Sequence, residues 1–165
     1  MPTDLATINS ILYEHGAIRH HVQTFANAVK ELEEVFVKKL GEWDPSVLKT
    51  ITDKRLNLQQ SLQSLYEGVK IHHDREESVM APLIGSQLME GLMLEHEDMM
   101  QNLERTKTLL SESEVAVMSR EELMAQSYEI RHVTDYVCEL IGAHITKEDA
   151  ILDLLKKAIR ARQAS

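Results

Sequence analysis

A chain of 165 residues, 43% hydrophobic and 27% charged, is long enough for one domain with one sizeable core. Its net charge of −9 argues against nucleic acid as a main partner, because phosphate binding needs clustered Lys and Arg. The single cysteine, Cys138, excludes an internal disulfide and a cysteine-based zinc site. No signal-peptide pattern and no apolar run of ~18 residues is found, so a cytoplasmic location is expected, with no membrane partner.

Aromatic residues make up only 4%, and Leu and Met carry the apolar load, which favours helices over a β-sandwich. A 3.6-residue period runs almost throughout. The first predicted helix covers about 4–40, with a seam of Ile8, Leu12, Ile18, Val22, Phe25, Val29, Leu32 and Phe36, and Gly41 as its stop. Asp44-Pro45 restarts the chain as an N-cap followed by a first-turn proline, and the second helix runs to about 81, where Pro82 ends it. Its seam is Leu58, Leu62, Leu65, Val69, Val79 and Leu83. Ser86 is placed to cap a third helix with a seam of Met89, Leu92, Met99, Leu103 and Leu110. Residues 111–118 are the weakest stretch and form the last loop, after which Ser119 and Glu122 make a capping box for the fourth helix. Its seam is Ile130, Val133, Val137, Leu140, Ile151, Leu155 and Ile159. Four long amphipathic helices with short connections predict an all-α, antiparallel up-down-up-down four-helix bundle occupying 1–165 as one domain.

Six polar residues interrupt those seams. His15 and His96 do so singly, and His72-Glu76 and His144-Glu148 do so as i, i+4 pairs, which stack imidazole and carboxylate on one helix face. At ~1.5 Å per residue, all six fall at a similar depth in an antiparallel bundle. Six buried ligands at one level are costly unless a cation compensates them, and a pair of metal ions is the natural candidate. Nitrogen and oxygen donors without sulfur suit iron, manganese or zinc.

The segments Leu12-Tyr13-Glu14-His15, His72-His73-Asp74-Arg75-Glu76-Glu77 leading to Pro82, Glu95-His96-Glu97-Asp98 and His144-Ile145-Thr146-Lys147-Glu148-Asp149, in this order, resemble the hemerythrin-like (HHE cation-binding) family over about 8–155. The resemblance implies a bundle holding two iron ions, oxo- or hydroxo-bridged. His15, His72, His96 and His144 would be terminal ligands, and Glu76 and Glu148 the bridges. Oxygen-carrying members have a further histidine one turn before the third-helix ligand, where this chain has Leu92. The four-His, two-Glu set looks more like the bacterial hemerythrin-like proteins. It implies open iron positions that react with a small ligand: O2, NO or peroxide. The alternative is an iron- or oxygen-sensing or O2-storage protein without turnover.

Several other residues compete with this reading. Asp149 rivals Glu148, and His73-Glu77 repeats the i, i+4 pair one position along, with the seam phase favouring His72-Glu76. Glu14 and Glu95 are expected on the solvated face, Met89, Met93, Met99 and Met100 as core filling, and Cys138 as an inert core thiol. A ferritin-like centre needs two Glu-x-x-His pairs, and only Glu129-Ile130-Arg131-His132 has that order.

Overall fold

The computed structural model describes residues 3–38, 44–111 and 117–165. Those residues form four long helices, α1 (Asp4–Lys38), α2 (Pro45–Val79), α4 (Ser86–Ser111) and α5 (Arg120–Ala164), with the one-turn α3 (Ala81–Ile84) between α2 and α4. No strand occurs among the described residues. Ion pairs fix the directions. Glu31 pairs with Lys54 and Glu14 with Arg75, so α1 and α2 run antiparallel. Arg131 meets Glu33 and Asp149 meets His15, so α5 is antiparallel to α1. α4 packs between α2 and α5 and closes the bundle. No described helix is long and apolar enough to cross a membrane.

The helix starts follow from local chemistry. The Asp44 side chain accepts from the backbone N–H of Ser46 and Val47, with Pro45 in the first turn. The Ser119–Glu122 capping box is present with both of its reciprocal hydrogen bonds. Pro82 does not end α2 directly. The helix stops at Val79, and Pro82 sits in the first turn of α3, where its missing N–H has no partner to lose. Gly85 then turns the chain into α4 at φ 89° and ψ 156°, a conformation that essentially only glycine adopts. The expected stop at Gly41 and most of the expected loop at 111–118 lie outside the described residues.

The seams of the first three predicted helices face the core largely as expected, although Leu12, Val22, Val79 and Leu83 are only half-buried. That of α5 is shifted. Ile130 and Val137 are buried, but Thr134, Ile141, Ile145 and Leu152 take the places expected for Val133, Leu140, Ile151 and Leu155, which are half-buried. The buried positions Leu123, Ser127, Ile130, Thr134, Val137, Ile141, His144 and Glu148 keep an alternating step of four and three, so the expected seam differs in the order of its steps: Ser127 and Thr134 are polar, and the apolar pattern points to Val133 and Leu140 instead.

The apolar interior is divided in two. The larger core includes Ile18, Phe25, Leu62, Val69, Met99, Leu103 and Ile141. The smaller holds Ile8, Ile11, Met80, Met89, Leu92 and Leu152. On every long helix the residues between these two cores are the histidines and glutamates that interrupt the seams.

Candidate metal centre

His15, Glu76 and Glu148 are fully buried, and His72, His96 and His144 are at most 4% exposed. Their inner atoms converge. His72 Nε2 lies 2.9 Å from Glu76 Oε1, and His15 Nε2 lies 3.2 Å from the same oxygen and 3.1 Å from Glu148 Oε2. On the other side, His144 Nε2 is 2.8 Å from Glu148 Oε1, and His96 Nε2 is 3.3 Å from Glu76 Oε2 and 3.5 Å from Glu148 Oε1. The two halves mirror one another: the rings of His15 and His72 meet edge to face at 4.8 Å, as do those of His96 and His144. Two four-residue groups result, His15/His72/Glu76/Glu148 and His96/His144/Glu76/Glu148, each with ligand atoms within 4.8 Å of one another. Both carboxylates belong to both groups.

Glu76 Oε2, both oxygens of Glu148 and His72 Nε2 are buried with no hydrogen-bond partner among the described residues. Close approach without hydrogen-bond alignment fits ligand atoms aimed at a common point, and orphaned buried polar atoms are rare without a reason. The donor set therefore fits a pair of cations.

Each of the four histidines is also held from behind. His72 Nδ1 donates to Glu14 at 2.8 Å, His96 Nδ1 to Glu77 at 3.1 Å, His144 Nδ1 to Glu95 at 2.5 Å and His15 Nδ1 to Asp149 at 2.6 Å. The pattern is a closed ring: an acid on α1 serves α2, one on α2 serves α4, one on α4 serves α5, and one on α5 serves α1. Every one of these acids is the sequence neighbour of an inward-facing residue, as in Glu14-His15, Glu76-Glu77, Glu95-His96 and Glu148-Asp149. One residue is ~100° of helix, which turns the acid from the bundle axis toward the next helix. A carboxylate on Nδ1 fixes the tautomer and directs Nε2 inward, the usual support of a metal-bound imidazole.

Without a cation the site is held by protons. Burial opposes charge on His15, but Glu148, Glu76 and Asp149 outweigh it and raise its pKa to about 10. His96 is likewise disfavoured by burial and then raised to about 10 by Glu148, Glu76 and Glu77. Burial raises Glu76, but His15, His72 and His96 bring it down to about 2, and Glu148 is held well below the usual carboxylate range by His144, His15 and His96. Two imidazolium charges thus balance two buried carboxylates.

The family model for the hemerythrin HHE cation-binding domain matches residues 6–152. The chain belongs to the hemerythrin HHE cation-binding family. No curated protein and no solved structure gave a match.

Within this hemerythrin domain the geometry sharpens several sequence expectations. Glu148 rather than Asp149 reaches the centre, while Asp149 holds His15 and is itself held by Arg19 at 2.5 Å. Glu14 and Glu95 are not solvated-face residues. They are two of the four supporting acids, and they pair outward with Arg75 and Lys147. Leu92, at the position of the expected absent histidine, is buried in the smaller core. A fifth imidazole nevertheless arrives from elsewhere. His73 is buried and stacks on His96, with centroids 3.7 Å apart and planes 4° from parallel. It forms a third ligand group with His96 and His144. Burial, and then the positive charge of His96, lower its pKa to about 3, so it is neutral and able to donate a lone pair. The seam pattern treated His72 and His73 as alternatives, whereas both face the interior. Burial also raises the Cys138 thiol to about 11, in keeping with an inert residue.

Proposed function

We propose that this hemerythrin domain binds two iron ions, manganese and zinc being the lesser candidates. His15 and His72 would hold one ion, His96 and His144 the other, and Glu76 and Glu148 would bridge them. The observation that carries this reading is the pair of four-residue groups sharing both carboxylates. Bound iron would supply redox chemistry toward O2, NO or peroxide in the cytoplasm. The chain's own contribution is to fix the imidazoles through the ring of acids and to exclude bulk water: the six inner residues are nearly inaccessible, which limits substrates to diatomics and peroxide.

The test is metal analysis of protein purified from iron-supplemented cells, where two irons per chain are expected. Absence of stoichiometric metal would end the proposal. Anaerobically reduced protein mixed with O2, NO or peroxide in stopped flow then separates the two functional readings. Repeated turnover marks an enzyme, and a stable reversible adduct marks a sensor or store.

The supporting acids give a separate expectation. Glu14→Ala and Glu95→Ala should each weaken metal retention about 10- to 100-fold while leaving the final stoichiometry unchanged at saturating metal. Competition against a graded chelator measures this. Unaltered retention in both variants would show that the acids do not tune the ligands.

A further inference from the structure

The ring of acids has an asymmetry. Three of the four are capped on their outer side by a basic residue: Asp149 by Arg19, Glu14 by Arg75 and Glu95 by Lys147. These caps close the α5–α1, α1–α2 and α4–α5 seams. Glu77, which holds His96 across the α2–α4 seam, has no such cap among the described residues.

At that uncapped seam lies a cavity of about 540 Å³. Asp74, Glu77, Glu90 and Glu97 line it against a single ammonium, Lys70, and His73 and His96 reach it from the protein interior. His73 differs from the other four buried histidines. It is as buried as they are, but its Nδ1 has no partner among the described residues, and no carboxylate holds it in place. It therefore touches the cavity on one side and the His96/His144 group on the other, packed against His96 but with no carboxylate fixing its ring nitrogens.

We propose that the α2–α4 seam is the route by which divalent metal ions enter the centre. Asp74, Glu77, Glu90 and Glu97 gather the cation at the mouth. His73 binds it transiently and passes it to His96 and His144. An acidic cleft raises the local concentration of cations and their rate of arrival by about 10- to 1000-fold, most strongly at low ionic strength. The missing outer charge on Glu77 removes the repulsion that the arginine and lysine caps impose at the other three seams. Methionines 93 and 100 line the same cavity and contribute soft, adaptable walls rather than competing hard ligands.

This proposal rests on the two-ion reading, and one experiment separates the two. Metal-free full-length protein is mixed with cobalt(II), and uptake is followed by the visible bands of the bound ion together with the final stoichiometry. The triple variant Asp74→Asn, Glu90→Gln, Glu97→Gln should take up cobalt about ten-fold more slowly at low salt. The difference should shrink at high salt, with the final stoichiometry unchanged. Neutralising three exposed carboxylates outside the mouth (Asp53→Asn, Glu139→Gln, Asp153→Asn) removes the same formal charge and should slow uptake far less. His73→Gln should slow uptake and still reach the wild-type endpoint. Equal slowing by both triple variants, or none by the mouth variant, overturns the route. A lowered endpoint or affinity in His73→Gln overturns the relay and makes His73 a resident ligand. If the wild type takes up no cobalt, the two-ion reading itself falls.

Discussion

On the two-iron proposal, replacing Glu148 with alanine is expected to empty both halves of the centre together, reducing bound metal from two ions per chain to well below one. The reason is geometric. Glu148 Oε1 lies 2.8 Å from His144 Nε2 and its Oε2 lies 3.1 Å from His15 Nε2, so one side chain serves both groups. Its loss removes a donor from each ion and a negative charge that offsets two dications in a low-dielectric interior, where uncompensated charge is costly. Asp149→Asn is the informative contrast. Asp149 touches His15 only through Nδ1, so this change should lower affinity about 10- to 100-fold without altering the endpoint. Metal analysis after gel filtration, with circular dichroism to verify helix content, distinguishes the outcomes. Two irons retained at normal affinity in Glu148→Ala would show that the carboxylate does not bridge. One retained ion would place it on a single metal.

Much of this arrangement was legible in the chain. The bundle follows from seam periodicity, and the Asp44 and Ser119 caps form as their residue types require, whereas Ser86, expected to cap the third long helix, is the first residue inside it. The level of the six inner residues follows from helix rise, because antiparallel helices bring His15, His72 and His96 to one depth. The supporting acids were harder to see. A surface glutamate beside a ligand has the same composition and periodicity as a solvated one. What distinguishes Glu14 or Glu95 is its position relative to the neighbouring helix, about 100° round from the axis, and only packing reveals which neighbour it meets. The repeated adjacency of an acid to each inward residue was the available signal. His73 was hidden for a related reason. A narrow a/d seam allows one of two consecutive residues inside, but the centre is wide enough for both, so His72 and His73 enter from opposite flanks of the same helix. The α5 seam differs because two of its buried positions, Ser127 and Thr134, are polar and carry no apolar signal, so the pattern pointed to Val133 and Leu140.

Stripping the metal is expected to leave a protein most stable in mild acid, and loading is expected to move that optimum toward neutral and alkaline pH. The direction follows from the protonation states. The pKa values of His15 and His96 are raised from 6.5 to about 10 in the fold, so their stabilisation is fully present below pH 6.5 and is lost as pH rises through 10. Glu76 is lowered from 4.5 to about 2, so its contribution is present above 4.5 and is lost as pH falls toward 2. His73 is lowered from 6.5 to about 3, so its contribution is present above 6.5 and is lost as pH falls toward 3, and the metal-free optimum therefore lies near 6.5. Bound cations require neutral imidazoles and take over the role of the protons, so loading should abolish the alkaline loss and itself weaken in acid. Metal at 100- to 1000-fold above its dissociation constant adds ~3–4 kcal/mol, equivalent to a rise in Tm on the order of 10 °C for a domain of this size. Thermal unfolding of stripped and loaded protein at intervals from pH 5 to 10 provides the check. A stripped-protein Tm that stays level from pH 6.5 to 10 would show that protons on His15 and His96 do not hold the empty centre together.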